Sequence, residues 1–375
     1  MGDAKQLNSE ANSIVDGLGW KNTEGPGRAT ITYPAQVIFL LACKMIFGRD
    51  VHAAPVIIQH LFVIFTALLV YRLAMGAGMG RTVALLSEAI VLFFPHTWYW
   101  ANVLNSHTLG MLLGVLGVFL LMKKPKRGSA YITIGIVWGA ATLARFSYQY
   151  FVPVWIMAML VAEIRSNRKI SLGSLSRAGF LVIGFLIVLV PWIVRVHKYA
   201  GGTSGYPDAW RICYSFNRLP EVRGNDRDEF QTKLEGDSTL TPSEREAIYK
   251  KRVFQNLREH PDWFVNNWLT NLGLLLINVT TKWEQPHYAL YAGMYYCLLL
   301  TFGLLGLLSL SRSQHAGFLP AYLLGVVIFA VHVPIYGYIS NSSPVWAVFA
   351  PIVATGADLS FRAASMKRKG PHEPA

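Results

Sequence analysis

Apolar runs recur along this chain, and each approaches the length a helix needs to cross a hydrocarbon layer about 30 Å thick. Stretches bounded by charged or turn residues give nine spans, near 55–76, 82–99, 104–122, 130–145, 148–164, 178–196, 287–309, 316–335 and 344–361. Charged residues make up 15% of the 375, where a soluble chain carries about a quarter. The chain therefore reads as an all-α integral membrane protein, a polytopic helical bundle surrounded by membrane lipids. That composition excludes a disordered chain and a nucleic-acid-binding domain, so no nucleic acid partner is expected. Cys43, Cys213 and Cys297 are scattered, with neither metal-ligand spacing nor a disulfide framework.

Lys and Arg accumulate in short cytoplasmic loops, and this sets the orientation. Arg72 and Arg81 lie in one connection, Lys123, Lys124, Lys126 and Arg127 in a second, and Arg165, Arg168, Lys169 and Arg177 in a third. Arg312 and the group Arg362, Lys367, Arg368 and Lys369 continue the alternation, whereas PHTWYWANVLNSHT (95–108) and YGYISNSSP (336–344) contain no Lys or Arg. The N-terminus and a large loop, 197–286, are therefore expected outside, and the C-terminus in the cytoplasm. Five parts follow: a first external loop (1–54), a six-span bundle (55–196), the large external loop (197–286), a three-span bundle (287–361) and a basic tail (362–375). Residues 198–262 hold 11 basic and 11 acidic side chains. The formal charge of +13 thus reflects topology and attraction to anionic lipid rather than a polyanionic substrate.

Two apolar segments are too short or too polar to count as spans. AQVIFLLACKMIFG (35–48) carries Lys44, and DWFVNNWLTNLGLLLINV (262–279) opens with polar residues on an aromatic face. Counting the second would invert every later loop against the basic-residue bias, so both are read as interfacial helices, with a short buried helix as the alternative. Upstream of it, 241–264 reads as a helix that stops at its His-Pro pair. Pro242 suits its first turn, Thr241 or Ser243 its cap, and Ile248, Phe254 and Leu257 an apolar stripe.

The stretch 2–48 resembles the first external loop of the GT-C membrane glycosyltransferases, the class that includes dolichyl-phosphate-mannose protein mannosyltransferases and bacterial polyprenyl-phosphate-sugar transferases. The family pattern is an Asp near the start, a Tyr four residues on, an AxxL helix, a GxGW or GxGF turn, then PPxYP and an interfacial helix ending in FG. Asp3 takes the place of the catalytic Asp; Gly17, Gly19 and Trp20 supply the turn, Tyr33 and Pro34 the YP, and Phe47 and Gly48 the helix end. Leu7 stands where the family usually has Tyr, and Ala4 where many members have Glu; a shifted register would make Glu10 or Asp16 the acid. GIVWGAATLAR (135–145), PWIVRVHKYAG (191–201) and the REHPDW helix end continue the likeness to about residue 265. His107 lies where relatives often have an acid, and the loop 336–344 lacks the basic residues some relatives place there. An external N-terminus with no preceding apolar run leaves two expectations, a short tail translocated unaided or a first span upstream of Gly2 that is missing from this sequence, and the resemblance favours the second. It implies a bacterial inner or plasma membrane, with the active face outside in the periplasm.

Transfer from a polyprenyl-phosphate sugar needs a base for the acceptor hydroxyl, cations for the phosphate leaving group and a groove at lipid level. The expected base is Asp3, with Glu10 as the alternative. The expected phosphate ligands are Arg145, Arg195 and Lys198, at the outer ends of spans, where snorkelling to headgroups is the competing role for each arginine. Trp20, Tyr33, Trp98, Trp100 and His107 are assigned to the acceptor and sugar groove, with an aromatic belt at the membrane boundary as the other reading of the tryptophans. The acceptor would be a lipid, glycan or protein hydroxyl. No cofactor is implied; a divalent metal would need His96 and His107 together with an acid of the first loop. Two other functions stay open: a transporter or flippase for a lipid-linked glycan, built around the intramembrane Glu88, and a catalytically silent relative.

Overall fold

A computed structural model of the chain describes residues 2–20, 33–49, 53–200, 209–216, 229–237, 239–276, 286–310, 318–332 and 339–368. Among them the regular structure is helical throughout. Helices α1 (Gly2–Val15) and α2 (Pro34–Phe47) precede α3 (Ala53–Gly76), α4 (Arg81–Leu92), α5 (Pro95–Ala101), α6 (His107–Met122) and α7 (Gly128–Ala144). A 3-10 turn (Phe146–Tyr150) leads into α8 (Phe151–Asn167) and α9 (Leu172–Ala200). Then come α10 (Ala209–Phe216), α11 (Glu229–Gly236), α12 (Pro242–Glu259), α13 (Pro261–Leu276), α14 (Pro286–Ser309), α15 (Leu319–His332) and α16 (Ile339–Arg368).

Among the described residues, four helical stretches are long and apolar enough to cross a membrane: Ala53–Gly76, Phe146–Asn167, Leu172–Lys198 and Val345–Ser365. Shorter apolar helices are Pro34–Phe47, His107–Met122, Gly128–Ala144, Met294–Ser309 and Leu319–His332. The stretch 82–99, expected as one span, is instead two helices. Helix α4 stops at Leu92, and Phe94 is extended (φ −67°, ψ 113°) before Pro95 opens α5. Proline lacks the N–H that would continue the ladder, and it drives its preceding residue out of the helical region. Thr97 closes the corner, its hydroxyl donating to the Phe94 carbonyl at 2.7 Å.

The main core gathers buried residues of α3, α4, α6, α7, α8, α15 and α16. Trp138 is at its centre, stacked on Phe151 with ring centroids 3.8 Å apart and pressed against Gly117, where any Cβ would strike the indole. In lipid, helices associate through close packing more than through water exclusion, which favours small residues at the contact. The α7–α9 seam has that form. A Cβ on Gly135 would land on the Leu181 carbonyl, one on Gly184 on the Ile132 carbonyl, and one on Gly139 2.8 Å from Val188 Cβ. Contacts therefore advance together along both chains, so α7 and α9 run parallel and carry their C-terminal ends, Arg145 and Arg195, to the same end of the bundle. Gly306 against Ile352 and Gly356 against Phe302 make the corresponding antiparallel seam between α14 and α16.

Helices α10 to α13 enclose a separate small core of Cys213, Tyr214, Leu234, Tyr249, Val253, Trp263 and Phe264. Helix α12 starts at Thr241 with a full capping box, the Thr241 hydroxyl accepting from Glu244 N at 3.3 Å and its N–H donating to Glu244 Oε2 at 2.8 Å. The Thr241 backbone and hydroxyl donors hold the Glu244 carboxyl below the usual carboxylate range; Thr239 does the same for Asp237. The helix ends at His260, where Pro261 begins α13, and α13 touches α15 and α16.

Two predictions follow from these contacts. Gly184→Ala should lower the unfolding temperature in detergent by an amount equivalent to about 1–3 kcal/mol, whereas Gly179→Ala, with open space around its Cβ position, should leave it unchanged or raised. Equal effects would remove the seam as a determinant. Because both capped carboxyls are depressed, their stabilisation is complete above the ordinary carboxylate range and fades as pH falls through their lowered values. Hydrogen exchange in the first turn of α12 should accelerate on acidification beyond its intrinsic trend, and Thr241→Ala should abolish that excess.

Candidate functional site

Helix α7 ends in a buried cation. Arg145 is extended (φ −150°, ψ 111°), its N–H still donating to the Ala141 carbonyl at 2.7 Å and its carbonyl accepting from Tyr148 N at 3.0 Å as the 3-10 turn begins. The side chain is 5% exposed. It runs over Gly110 of α6, where a Cβ would come within 2.8 Å of Arg145 Cγ, so only glycine leaves room. Its guanidinium is hydrogen-bonded to Nδ1 of His107. Guanidinium only donates, so Nδ1 accepts and the His107 proton resides on Nε2. The imidazole in turn lies over Trp100, ring centroids 4.1 Å apart. Tyr148, fully buried, donates its hydroxyl to the Gly110 carbonyl at 3.1 Å and so ties the 3-10 turn to α6. At the end of α15, His332 Nε2 is buried without a hydrogen-bond partner among the described residues.

A second cluster centres on Trp20. Helix α1 is stopped by Gly17 in the left-handed conformation (φ 72°), with Leu18 N donating to the Ser13 carbonyl and the Ser13 hydroxyl to the Gly19 carbonyl. That reversal returns Trp20 to α1, where its indole N–H donates to Glu10 Oε2 at 2.7 Å. Glu10 is 0% exposed, and its other oxygen accepts from Gln6 at 3.3 Å. Arg195 lies over the Trp20 ring at 4.9 Å and over Trp192 at 5.8 Å, and donates to the Trp20 carbonyl at 3.0 Å. Trp20 also packs on the apolar group of Leu143, Phe146, Trp192 and Val196. The residue after Arg145 and the residues around Arg195 thus share one cluster.

The structure brings Arg145, His107 and Trp100 together, and Glu10, Trp20 and Arg195 together. Lys198 is exposed in the last turn of α9, one turn beyond Arg195. Tyr33 caps α2 in the left-handed region (φ 30°, ψ 71°) and packs against the cluster of Leu7, Ala11, Val37 and Leu40. For a residue with a large side chain, ahead of a proline, that backbone is strained by about 1–3 kcal/mol. Trp98 is not brought to this group: it faces His60 of α3, ring centroids 5.1 Å apart, and its indole donates to the Leu92 carbonyl. Asp3 is in the first turn of α1, two turns before Glu10, and its side chain lies outside the described residues, as does that of His96. Asp16 makes a bidentate pair with Arg49, 2.5 and 3.0 Å. Leu7 is a fully buried core residue.

Sequence reasoning missed Gly110, His332, Gln36 and Gln59, and it gives Tyr148 only as a belt or packing residue. The available signal was polarity inside apolar runs, which demands a buried partner. Among the described residues no three His, Cys, Asp or Glu side chains converge as metal ligands. No family model, curated protein or solved structure matches the chain, so the GT-C likeness is carried by the motifs alone.

A double-mutant cycle checks the Trp20 contact. Trp20→Phe and Glu10→Gln should each destabilise the protein in detergent, and the pair should show a coupling of about 1–2 kcal/mol. Additivity would mean that the indole and the carboxylate do not act on one another.

Proposed function

We propose that the chain is a polytopic GT-C-type glycosyltransferase of about nine spans, with its first loop and large loop outside and its C-terminus in the cytoplasm. The proposed reaction moves a sugar, with inversion, from a polyprenyl phosphate to a hydroxyl of a lipid, glycan or protein at the outer face of a bacterial inner membrane. The observation that carries this reading is the meeting of Trp20, from the first-loop turn, with Arg195, from the end of α9, across 175 positions of sequence. Both belong to the motifs that carry the GT-C resemblance, the GLGW turn and the PWIVR stretch. The shared end of α7 and α9 then puts a second cation, Arg145, beside the same apolar cluster.

The chemistry follows from these groups. Asp3 takes the proton of the acceptor hydroxyl, and the freed oxygen attacks the anomeric carbon from the face opposite the phosphate. The bond from that carbon to the phosphate oxygen breaks, and the electron pair leaves with the polyprenyl phosphate. Arg145, Arg195 and Lys198 offset the charge that develops there. Glu10 suits the base role less well, because Trp20 and Gln6 occupy its oxygens and it is wholly buried. Its role is to hold Trp20 over Arg195. Helix α2, with Ile38, Met45, Ile46 and Phe47 exposed on an apolar segment, lies in the outer interface beside the acceptor groove.

In membranes holding the full chain, labelled sugar should pass from a polyprenyl-phosphate donor to an acceptor, and Asp3→Asn should slow that transfer about 10²–10⁴-fold. Undiminished transfer would remove Asp3 from the mechanism. Arg195→Ala should weaken donor binding; unchanged donor affinity would leave this arginine as a clamp on Trp20 alone. Absence of transfer from every donor in a panel, with the wild-type chain folded, would overturn the reading.

A further inference from the structure

Two glutamines within apolar helices, Gln36 on α2 and Gln59 on α3, are 0% exposed. Their amides form a directed chain. Gln36 Nε2 donates to Gln59 Oε1 at 2.9 Å, and Gln59 Nε2 donates to the carbonyls of Ala101 and Val103, each at 2.9 Å. Among the described residues Gln36 Oε1 is buried without a hydrogen-bond partner. The reverse orientation of the Gln36 amide would set two carbonyl oxygens face to face, so the polarity of the chain is fixed by its chemistry. The segment that receives both Gln59 hydrogen bonds joins Trp100 to His107, whose rings meet at a 35° tilt beside Arg145. The same segment touches the first loop at a second point, since Leu104 packs on the cluster of Leu7, Ala11, Val37 and Leu40.

We propose that Gln36 and Gln59 are positioning residues, a buried amide relay that keeps the Trp100–His107 segment, and through His107 the Arg145 guanidinium, in register with the first-loop helix α2. The proposal rests on the reading of Arg145 and His107 as part of the transfer site. Without Gln59 the turn after α5 loses the donor that pins it to α3. Without Gln36 the turn remains pinned, but α2 is no longer bonded to it. A displacement of α2 by a docking acceptor is thereby passed to the His107–Arg145 pair.

The relay is testable without reference to activity. The full chain is labelled with 5-fluorotryptophan, and the Trp100 resonance is assigned with Trp100→Phe and followed in Gln36→Leu and Gln59→Leu. Gln36→Leu is the safer variant, because along with the donor it removes a buried carbonyl that has no partner among the described residues. The Trp100 signal should move or split in both, more in Gln59→Leu, while those of Trp138 in the core and Trp210 in α10 stay in place. A Trp100 signal unmoved in both variants, or all tryptophan signals moving together, would overturn the relay. In transfer assays Gln36→Leu should lower kcat, by up to about a hundredfold for a displacement near 1 Å, with donor KM changed much less. An unchanged kcat beside a displaced Trp100 would also overturn the positioning role. A displaced Trp100 in a chain whose wild type transfers nothing would keep the relay and refute the transferase reading instead.

Discussion

A guanidinium at the end of an apolar helix, 5% exposed, is the feature around which much of this structure is arranged. Removing such a charge from water carries a penalty of several kcal/mol, so it persists only where the protein supplies acceptors and space. Both come from α6. Gly110 gives the side chain its passage, and His107 accepts its hydrogen bond in the one tautomer that can. The chain must leave the α-helix at Arg145 to reach that partner, and the 3-10 turn with Tyr148 anchored to Gly110 is the result. Trp100 completes the surround by covering the imidazole. Local backbone, packing and electrostatics thus serve one buried cation.

The location of that cation relative to the rest depends on a seam of small residues. Gly135, Gly139 and Gly184 let α7 and α9 approach backbone to backbone, and such contact tolerates no sliding. The offset set at Gly135 and Gly184 persists to the ends of both helices, where Leu143 and Phe146 pack with Trp192 and Val196. Trp20 closes over that group from the first loop, with Arg195 on its face and Glu10 on its indole nitrogen. The first loop is therefore held at the place where α7 and α9 deliver their arginines. The proposed transfer, which joins a membrane-borne donor to an acceptor at the surface, needs this proximity.

Much of this is legible in the sequence. The long apolar runs at 55–76 and 178–196 correspond to α3 and α9, and the GLGW turn, the Thr241 cap and the stop at His260–Pro261 follow from local chemistry. The stretch 82–99 failed because hydropathy is blind to Pro95, whose effect on the backbone outweighs the apolar character around it. Trp98 and Trp100 read alike in sequence, yet a short helix turns one to His60 and the other to His107. Gln36 and Gln59 were passed over because a polar residue in an apolar run signals a partner without naming it; theirs are supplied by one another and by a turn more than forty residues downstream of Gln59. Side-chain pairing of this kind is a tertiary property, and one sequence encodes only the need for it.

The end of the bundle bearing Arg145 and Arg195 is proposed to receive the donor phosphate. Photo-crosslinking tests it most directly: a polyprenyl-phosphate sugar with a benzophenone near the phosphate is irradiated with the full chain in native membranes, and the labelled peptides are mapped. Label should fall on the segments around Trp100–His107 and Trp192–Lys198 and be competed away by unlabelled donor. Saturable label confined to other segments, or label on these that excess donor does not reduce, would contradict the account.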